Sequence, residues 1–281
     1  MTKRVALVGM PLRRRHSEVM HNAAFDHFGI NARYELRPTE ADRLTAFFGE
    51  VREPGWLGFQ VTAPHKQAAM ALVDEVEPDA LSIGAINTGV RTDDGRLIGL
   101  NTDGAGFARS VENDLDFSFS GAKVVISGSG GAARAVVHAC LARGADDIFI
   151  GNRTETTATE LAREMGDPRL RGGGFDDAFE SALSEADLAV NATTVGMTTA
   201  GLPFDVSLLP ARARVFDLVY IPAETELVTA SRSRGLPAVN GLGMLIAQGA
   251  IAFERWTGVA NPDEVMRESL VDLVNDPTAQ A

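Results

Sequence analysis

Apolar residues fall into short, β-branched runs separated by longer stretches of helical spacing, the pattern of an α/β architecture. Residues 5–8 (Val-Ala-Leu-Val) read as a strand and 18–28 as a helix. A second strand follows at 33–36, a helix at 41–51, and a strand at 56–61 that stops at Thr62-Ala63-Pro64. A helix is expected from Pro64 to residue 73, with Lys66 in its first turn. Residues 87–99 read as a hairpin, because Thr92-Asp93-Asp94-Gly95 supplies turn chemistry between two apolar runs. A helix over 102–113 leads into the polar, aromatic-punctuated stretch 114–120, which marks a crossover.

A second series begins with the strand 123–127 and the helix 132–143, and continues with strands at 147–150, 188–191 and 215–219. Gly172-Gly173-Gly174 reads as a loop, and Pro203 and Pro210 bracket another irregular stretch. The chain ends differently, with helices over 244–257 and 262–274 and no strand between them. A helical tail after an α/β domain commonly packs back on an earlier one. The expected division is therefore a discontinuous first domain, 1–103 plus 242–281, and a second domain over 104–241.

The second domain opens on a phosphate-binding pattern. Strand 123–127 runs into Gly128-Ser129-Gly130-Gly131-Ala132-Ala133, a G-x-G-x-x-A match that starts a helix. Glycines there let the backbone turn tightly and approach a pyrophosphate seated on the helix N-terminus. The plainer alternative is a strand-to-helix turn without a ligand. The next strand ends in Gly151-Asn152-Arg153-Thr154. An acidic residue at that place would favour NAD, whereas Arg153 suits the 2'-phosphate of NADP. A solvated surface arginine is the bland reading. Position 157 is Thr, so no second basic residue reinforces the choice.

Composition narrows the field. Apolar residues are 45% of the 281 and charged residues 23%, enough for a core. Lys and Arg total 26 against 38 Asp and Glu, a formal charge of -12 that opposes nucleic-acid or anionic-membrane binding. A local pocket can still take a small anion. One cysteine, Cys140, excludes a disulfide framework and suits a reducing cytoplasm. The N-terminal apolar run ends at Pro11 and Arg13-Arg14-Arg15, too soon for a signal peptide, and no window reaches a membrane span. These counts leave room for a second copy of the chain as a homodimer.

Polar clusters close several elements of the first domain: Thr62-Ala63-Pro64-His65-Lys66, Gly84-Ala85-Ile86-Asn87-Thr88 and Gly99-Leu100-Asn101-Thr102-Asp103. A lysine close to an aspartate can relay a proton during alcohol oxidation. Spacing alone proves no contact between Lys66 and Asp103, and a lone helix lysine is usually solvated.

With these motifs in order, the chain resembles the shikimate dehydrogenase family over essentially its whole length. The matching residues are Gly9-x-Pro11, His21-Asn22, Val61-Thr62-x-Pro64-x-Lys66, Gly84-Ala85-x-Asn87-Thr88 and Asn101-Thr102-Asp103. They continue with Gly128-x-Gly130-Gly131-Ala132, Asn152-Arg153-Thr154, Asn191-Ala192-Thr193 with Gly196-Met197, and Asp217-x-Val219-Tyr220-x-Pro222. Gly241-x-x-Met244-Leu245-x-x-Gln248 completes the set.

The resemblance implies a reversible NADP-linked oxidation of shikimate to 3-dehydroshikimate, towards aromatic amino acids. It implies a small α/β substrate domain and a Rossmann-type domain, with the active site in the cleft between them. By position, Lys66 and Asp103 look like the catalytic pair. Arg15, Ser17, Thr62, Asn87, Tyr220 and Gln248 fall at substrate positions. Gly128, Ser129, Gly130, Gly131, Ala132, Asn152, Arg153, Thr154, Thr193, Gly241 and Met244 fall at cofactor positions.

Two departures bear on the substrate. The family usually carries His-Ser-x-Ser-Pro after Gly9-x-Pro11, where its two serines hold a carboxylate; here Arg14 to Glu18 stand there. Ser17 keeps the second serine, while Arg15 replaces the first and Glu18 the proline. Gln60 also replaces the asparagine usual before Val-Thr. Relatives acting on quinate, an amino-shikimate or another cyclic acid are therefore rivals, and a non-catalytic metabolite sensor is a third reading. Retention of both Lys66 and Asp103 argues against the sensor. Other features read blandly: His21 and His27 lie six apart, off one helix face, so a metal pair is not expected. His138, Cys140, Phe253 and Trp256 read as packing residues.

Overall fold

The apolar run at 5–8 carries no polar alternation because both faces of its strand are covered. In the computed structural model, which describes residues 1–12 and 14–275, it lies in β1 (Lys3–Gly9), with Val5, Ala6 and Val8 fully buried. β1 pairs in parallel with β2 (Ala32–Pro38) and β3 (Trp56–Val61) on its two sides. The sheet is extended by β4 (Glu75–Val76), β5 (Thr88–Arg91) and β6 (Leu97–Leu100), in the order β2-β1-β3-β5-β6-β4. β5 and β6 form the expected antiparallel hairpin, closed by the Gly95 amide donating to the Thr92 carbonyl at 2.9 Å.

The chain divides into two compact units, Met1–Asp103 with the chain from Leu245 on, and Gly104–Met244. In the first, one core gathers Val8, Phe47, Phe48, Phe59, Ile86 and Leu97. Helices His16–His27 and Leu242–Thr257 bring Phe25, Phe253 and Trp256 together, Phe25 and Phe253 with ring centroids 5.1 Å apart.

The second unit is built on six parallel strands: β7 (Lys123–Ser127), β8 (Asp147–Gly151), β9 (Leu170–Gly173), β10 (Leu188–Asn191), β11 (Arg214–Asp217) and β12 (Ala238–Val239). Their order, β9-β8-β7-β10-β11-β12, is the doubly wound order of dinucleotide-binding sheets, with the strand order reversing between β7 and β10. Strand alternation distributes the core. Val124 and Ile126 join Val136, Val137 and Cys140 in one cluster, while Val125 joins Phe149, Phe179 and Leu227 in another.

Three readings of the sequence change. The helix expected from Pro64 does not form; only a 3-10 turn, Ala68–Leu72, is present. The Lys66 carbonyl accepts from the Ile86 amide at 3.0 Å, a non-local bond that takes the acceptor a helix would have used. Lys66 thus sits on an irregular segment. Gly172 and Gly173 belong to β9 rather than a loop. A Cβ on Gly172 would stand 2.3 Å from the Ala158 carbonyl oxygen, so glycine marks the close approach of helix Glu155–Met165. The last helix breaks at Leu270 into Asp263–Ser269 and Val271–Asn275. Among the described residues, no helix is long and apolar enough to cross a membrane.

Candidate functional site

In the first unit the polar clusters at the strand ends converge. Gly84, with φ 74°, ends helix Pro78–Ile83 and returns the chain so that Asn87 is buried. Asn87 Nδ2 donates to Asp103 Oδ1 at 2.8 Å and to Thr102 Oγ1 at 3.0 Å, while its Oδ1 accepts from the Thr102 amide at 2.8 Å. Lys66 Nζ donates to the other carboxylate oxygen, Oδ2, at 2.5 Å. Asp103 also opens helix Asp103–Asp114, where a carboxylate faces the positive end of the helix dipole. Gln248, buried on helix Leu242–Thr257, enters the same network: its Oε1 accepts from Thr102 Oγ1 at 3.4 Å and from Gln60 Nε2 at 2.9 Å. Lys66, Asn87, Asp103 and Gln248 are therefore one connected cluster. Thr62 is half-buried just beyond β3, its amide donating to the Val8 carbonyl.

At the start of helix His16–His27 the arrangement is more open. Ser17 is half-buried, whereas Arg15 is exposed and its Nε donates to Glu18 Oε2 at 2.6 Å. Arg15 and Glu18, two of the residues at which the sequence reading expected departures, are thus paired with each other. Among the described residues no cluster of His, Cys, Asp and Glu could hold a metal ion. His21 is buried against Tyr34, its ring centroid 4.5 Å away, and burial pushes its pKa down to about 3 against a smaller upward pull from Gln60. Burial likewise pushes the Cys140 thiol up, which keeps it protonated and unreactive.

In the second unit a cavity of about 410 Å³ opens at the carboxyl ends of β7 and β10, where the strand order reverses. Gly128, Ser129, Gly130, Ala132, Asn152 and Thr193 line it, and so does Tyr220. Gly128 has φ 108°, and a Cβ there would stand 2.9 Å from the Ala192 carbonyl oxygen, so only glycine fits the turn. Gly130 and Gly131 are different: a Cβ on either would meet nothing within 4 Å. They leave room at the N-terminus of helix Gly131–Ala142, whose first amides have no partner within the helix. Arg153 and Thr154 are exposed at the end of β8. Gly241 donates its amide to the Val219 carbonyl at 3.2 Å, and Met244 packs in the core on helix Leu242–Thr257. A second hollow, about 340 Å³, lies by the first residues of β7 and β8, the end of the sheet opposite to ligand crevices. Its charges are spent on one another, Arg171 on Asp147 at 2.7 Å and Lys123 on Glu185 at 2.5 Å.

Two participants were given no role in the sequence reading, although Asp217 stood in one of its motifs. Thr157, noted there only as not basic, accepts from Asn152 Nδ2 at 2.6 Å and shares a hydrogen bond with Ser129 Oγ at 2.9 Å. It ties the loop after β7 to the loop after β8. Asp217 is buried, and burial raises its pKa against hydrogen bonds from Thr225, the Val219 amide and Asn191. It holds together the ends of β10 and β11, next to Thr193 and Tyr220. Asp217 closes β11, two residues before the end of the strand read from the sequence, while Thr157 lies in the first turn of helix Glu155–Met165, where no strand-end signal marked it.

Comparison with known proteins identifies the family. Residues 7–88 match the shikimate dehydrogenase substrate binding domain, 109–199 the shikimate / quinate 5-dehydrogenase model, and 241–271 the shikimate 5'-dehydrogenase C-terminal domain. A shikimate dehydrogenase (NADP(+)) of Methanopyrus kandleri is 42% identical over 284 residues, covering 96% of each chain. The crystal structure of shikimate 5-dehydrogenase from Thermus thermophilus, in complex with NADP(H) and shikimate, is similar at a TM-score of 0.85 and 35% identity, covering 95% of this chain and 100% of that one. Quinate dehydrogenase from Corynebacterium glutamicum, in complex with NAD, is similar at a TM-score of 0.90 and 31% identity, covering 96% of this chain and 99% of that one. The chain belongs to the shikimate dehydrogenase family.

Proposed function

We propose that this protein catalyses the reversible, NADP-dependent oxidation of shikimate to 3-dehydroshikimate. The observation that carries the reading is the Lys66–Asp103 pair, held by Asn87 in a polar cluster of a shikimate dehydrogenase fold. In the oxidising direction the alcohol proton leaves the substrate oxygen for this pair, and in the reducing direction the pair returns it to the carbonyl oxygen. Thr62, Asn87 and Gln248 bind and orient the substrate's hydroxyl and carboxylate groups; Ser17 and Arg15 stand at the carboxylate positions, and Tyr220 is the substrate residue of the second unit.

The glycine turn fits a dinucleotide: it has open space at Gly130 and Gly131, a helix N-terminus and an adjoining cavity. Residues 128–132 would hold the pyrophosphate, Asn152, Arg153 and Thr154 the phosphorylated ribose, and Thr193 the cavity wall. Gly241 and Met244 would support that wall from behind. When bound, NADP takes the hydride released from the alcohol carbon.

The test is the near-ultraviolet absorbance of NADPH, followed with shikimate, quinate and an amino-shikimate, each with NADP and with NAD. Turnover of shikimate with NADP is expected to dominate. A second reading, preference for another cyclic acid, is favoured by Arg15 and Glu18 standing where the family has serine and proline; it wins if a different acid dominates. Absence of turnover with every acid leaves the sensor reading.

A further inference from the structure

Two buried side chains that the proposed chemistry does not use directly form a line behind Gln248. Tyr34, on β2, is 2% exposed, and its hydroxyl donates to Gln60 Oε1 at 2.6 Å. Gln60, on β3 and 3% exposed, donates from Nε2 to Gln248 Oε1 at 2.9 Å, with a longer contact to Thr88 Oγ1 at 3.5 Å. Gln248 then donates from its own Nε2 to the Leu245 carbonyl at 2.8 Å.

The order of donors and acceptors fixes the orientation of both amides. A phenol O–H has one hydrogen to give, and here Gln60 Oε1 receives it. Gln60 must then present its NH2 to Gln248, so Gln248 must present its oxygen. Turning either amide over would set two donors or two acceptors face to face in a dry interior, which is costly where no water can intervene. A carboxamide has two N–H groups. With one of those on Gln248 given to Leu245, the other is the donor the residue can offer a ligand.

The ring of Tyr34 is itself fixed. It stacks on His21 at 4.5 Å between centroids and lies 6.3 Å from Trp256. Burial drives the phenol pKa up well beyond its ordinary range, with Ser17 beside the hydroxyl acting in the opposite sense, so the hydroxyl keeps its proton. The phenol thus meets Ser17 directly and reaches Gln248 only through Gln60.

We propose that Tyr34 and Gln60 are positioning residues: a buried hydrogen-bond clamp that sets the carboxamide of Gln248 with its N–H towards the substrate. The proposal rests on the reading that Gln248 contacts the substrate. It gives Gln60, which departs from the asparagine usual before Val-Thr, a reason to be longer. The extra methylene lets one amide span from β3 to both Tyr34 and helix Leu242–Thr257.

The test uses the full-length enzyme with Tyr34→Phe, which removes the hydroxyl and keeps the ring on His21. A second variant, Gln60→Met, keeps volume and removes both hydrogen-bonding groups. Each should raise KM for shikimate about 3- to 20-fold, the range of a net hydrogen bond or somewhat more, with kcat and KM for NADP within about twofold. Gln248→Ala should raise KM for shikimate as well, and adding Tyr34→Phe or Gln60→Met to it should then change little. If the single variants raise KM and the double variants add nothing, the clamp acts through Gln248. If Gln248→Ala leaves KM for shikimate unchanged, the underlying assignment of Gln248 fails. If Gln248→Ala raises KM but the other two single variants do not, the clamp alone fails. Equal losses in kcat and in both KM values, persisting in the Gln248→Ala background, would make Tyr34 and Gln60 structural only and overturn the proposal.

Discussion

Lys66 Nζ lies 2.5 Å from Asp103 Oδ2, although 37 positions separate the two residues. Their side chains are 22% and 11% exposed, so most of the pair is out of bulk water. Asn87 Nδ2 donates to the second carboxylate oxygen at 2.8 Å, so both oxygens are engaged when Lys66 is paired. A charge pair held this way is sensitive to loss of either partner, because the one that remains is left partly buried and uncompensated.

The pair should behave as one catalytic unit. General acid–base catalysis contributes about 10²- to 10⁴-fold, so Lys66→Ala should lower kcat by roughly that factor. Asp103→Asn should also lower it, and the double variant should be little worse than the worse single one. Steady-state kinetics decide: losses that multiply would mean two independent roles, and near-normal kcat in Lys66→Ala would remove the lysine from the chemistry.

Arg153 should set the choice between NADP and NAD. It is exposed at the end of β8, beyond a loop that Asn152 and Thr157 tie down. A charge-assisted hydrogen bond is worth about 1.5–3 kcal/mol, and exposure places this one at the low end. Arg153→Ala should therefore weaken NADP binding about tenfold and leave NAD nearly unchanged. Calorimetric titration with both cofactors checks this, and an equal loss for both would remove Arg153 from the 2'-phosphate.

His21 should make the protein sensitive to acid. Burial lowers its pKa from 6.5 to about 3. Between those values the unfolded chain takes up a proton that the folded one refuses. The stability contribution is thus whole above pH 6.5 and falls as the pH drops from there towards 3, by about 1.4 kcal/mol per unit. His16 is also lowered, by burial first and by Arg14 second, so the wild-type curve carries both. Urea unfolding of wild type and His21→Phe across pH 7 to 4.5 isolates the His21 share. The stability of wild type minus that of His21→Phe should fall on acidification, whichever is the more stable at pH 7; parallel curves would contradict it.

What the sequence revealed and what it hid divide along local and non-local lines. Strands such as 56–61 and 188–191, and the hairpin turn at Gly95, were legible because their causes are local: apolar runs and turn residues. The helix expected at Pro64 failed because a residue 20 positions away claims the Lys66 carbonyl; nothing near Pro64 announces Ile86. Gly172 was misread for the same kind of reason, since what it accommodates is the backbone at Ala158. The individual groups of the candidate site were visible in the motifs, but spacing could not bring Lys66 to Asp103. Nor could it bring Gln60 to Gln248, which lies 188 positions further on. Thr157 was passed over because only its charge was weighed; its hydroxyl is what matters.

Arg15 is where this chain's substrate choice should be decided. The sequence resemblance puts it at a serine position of the carboxylate loop; it is 71% exposed, with its Nε on Glu18 at 2.6 Å. An exposed pair three residues apart on one helix turn is weak, so Glu18 can give Arg15 up to a substrate carboxylate at little cost. A guanidinium then offers two parallel donors, and its greater length holds the anion further out than a serine hydroxyl would. Arg15→Ser should accordingly raise kcat/KM for shikimate relative to bulkier cyclic acids such as quinate. Glu18→Gln, which releases Arg15 without shortening it, should lower KM for the acid the wild type prefers and leave kcat alone. The two variants therefore move in different parameters, which a general change in surface charge would not produce. If neither changes the kinetics of any acid, Arg15 and Glu18 are a solvated surface pair and the carboxylate is held elsewhere.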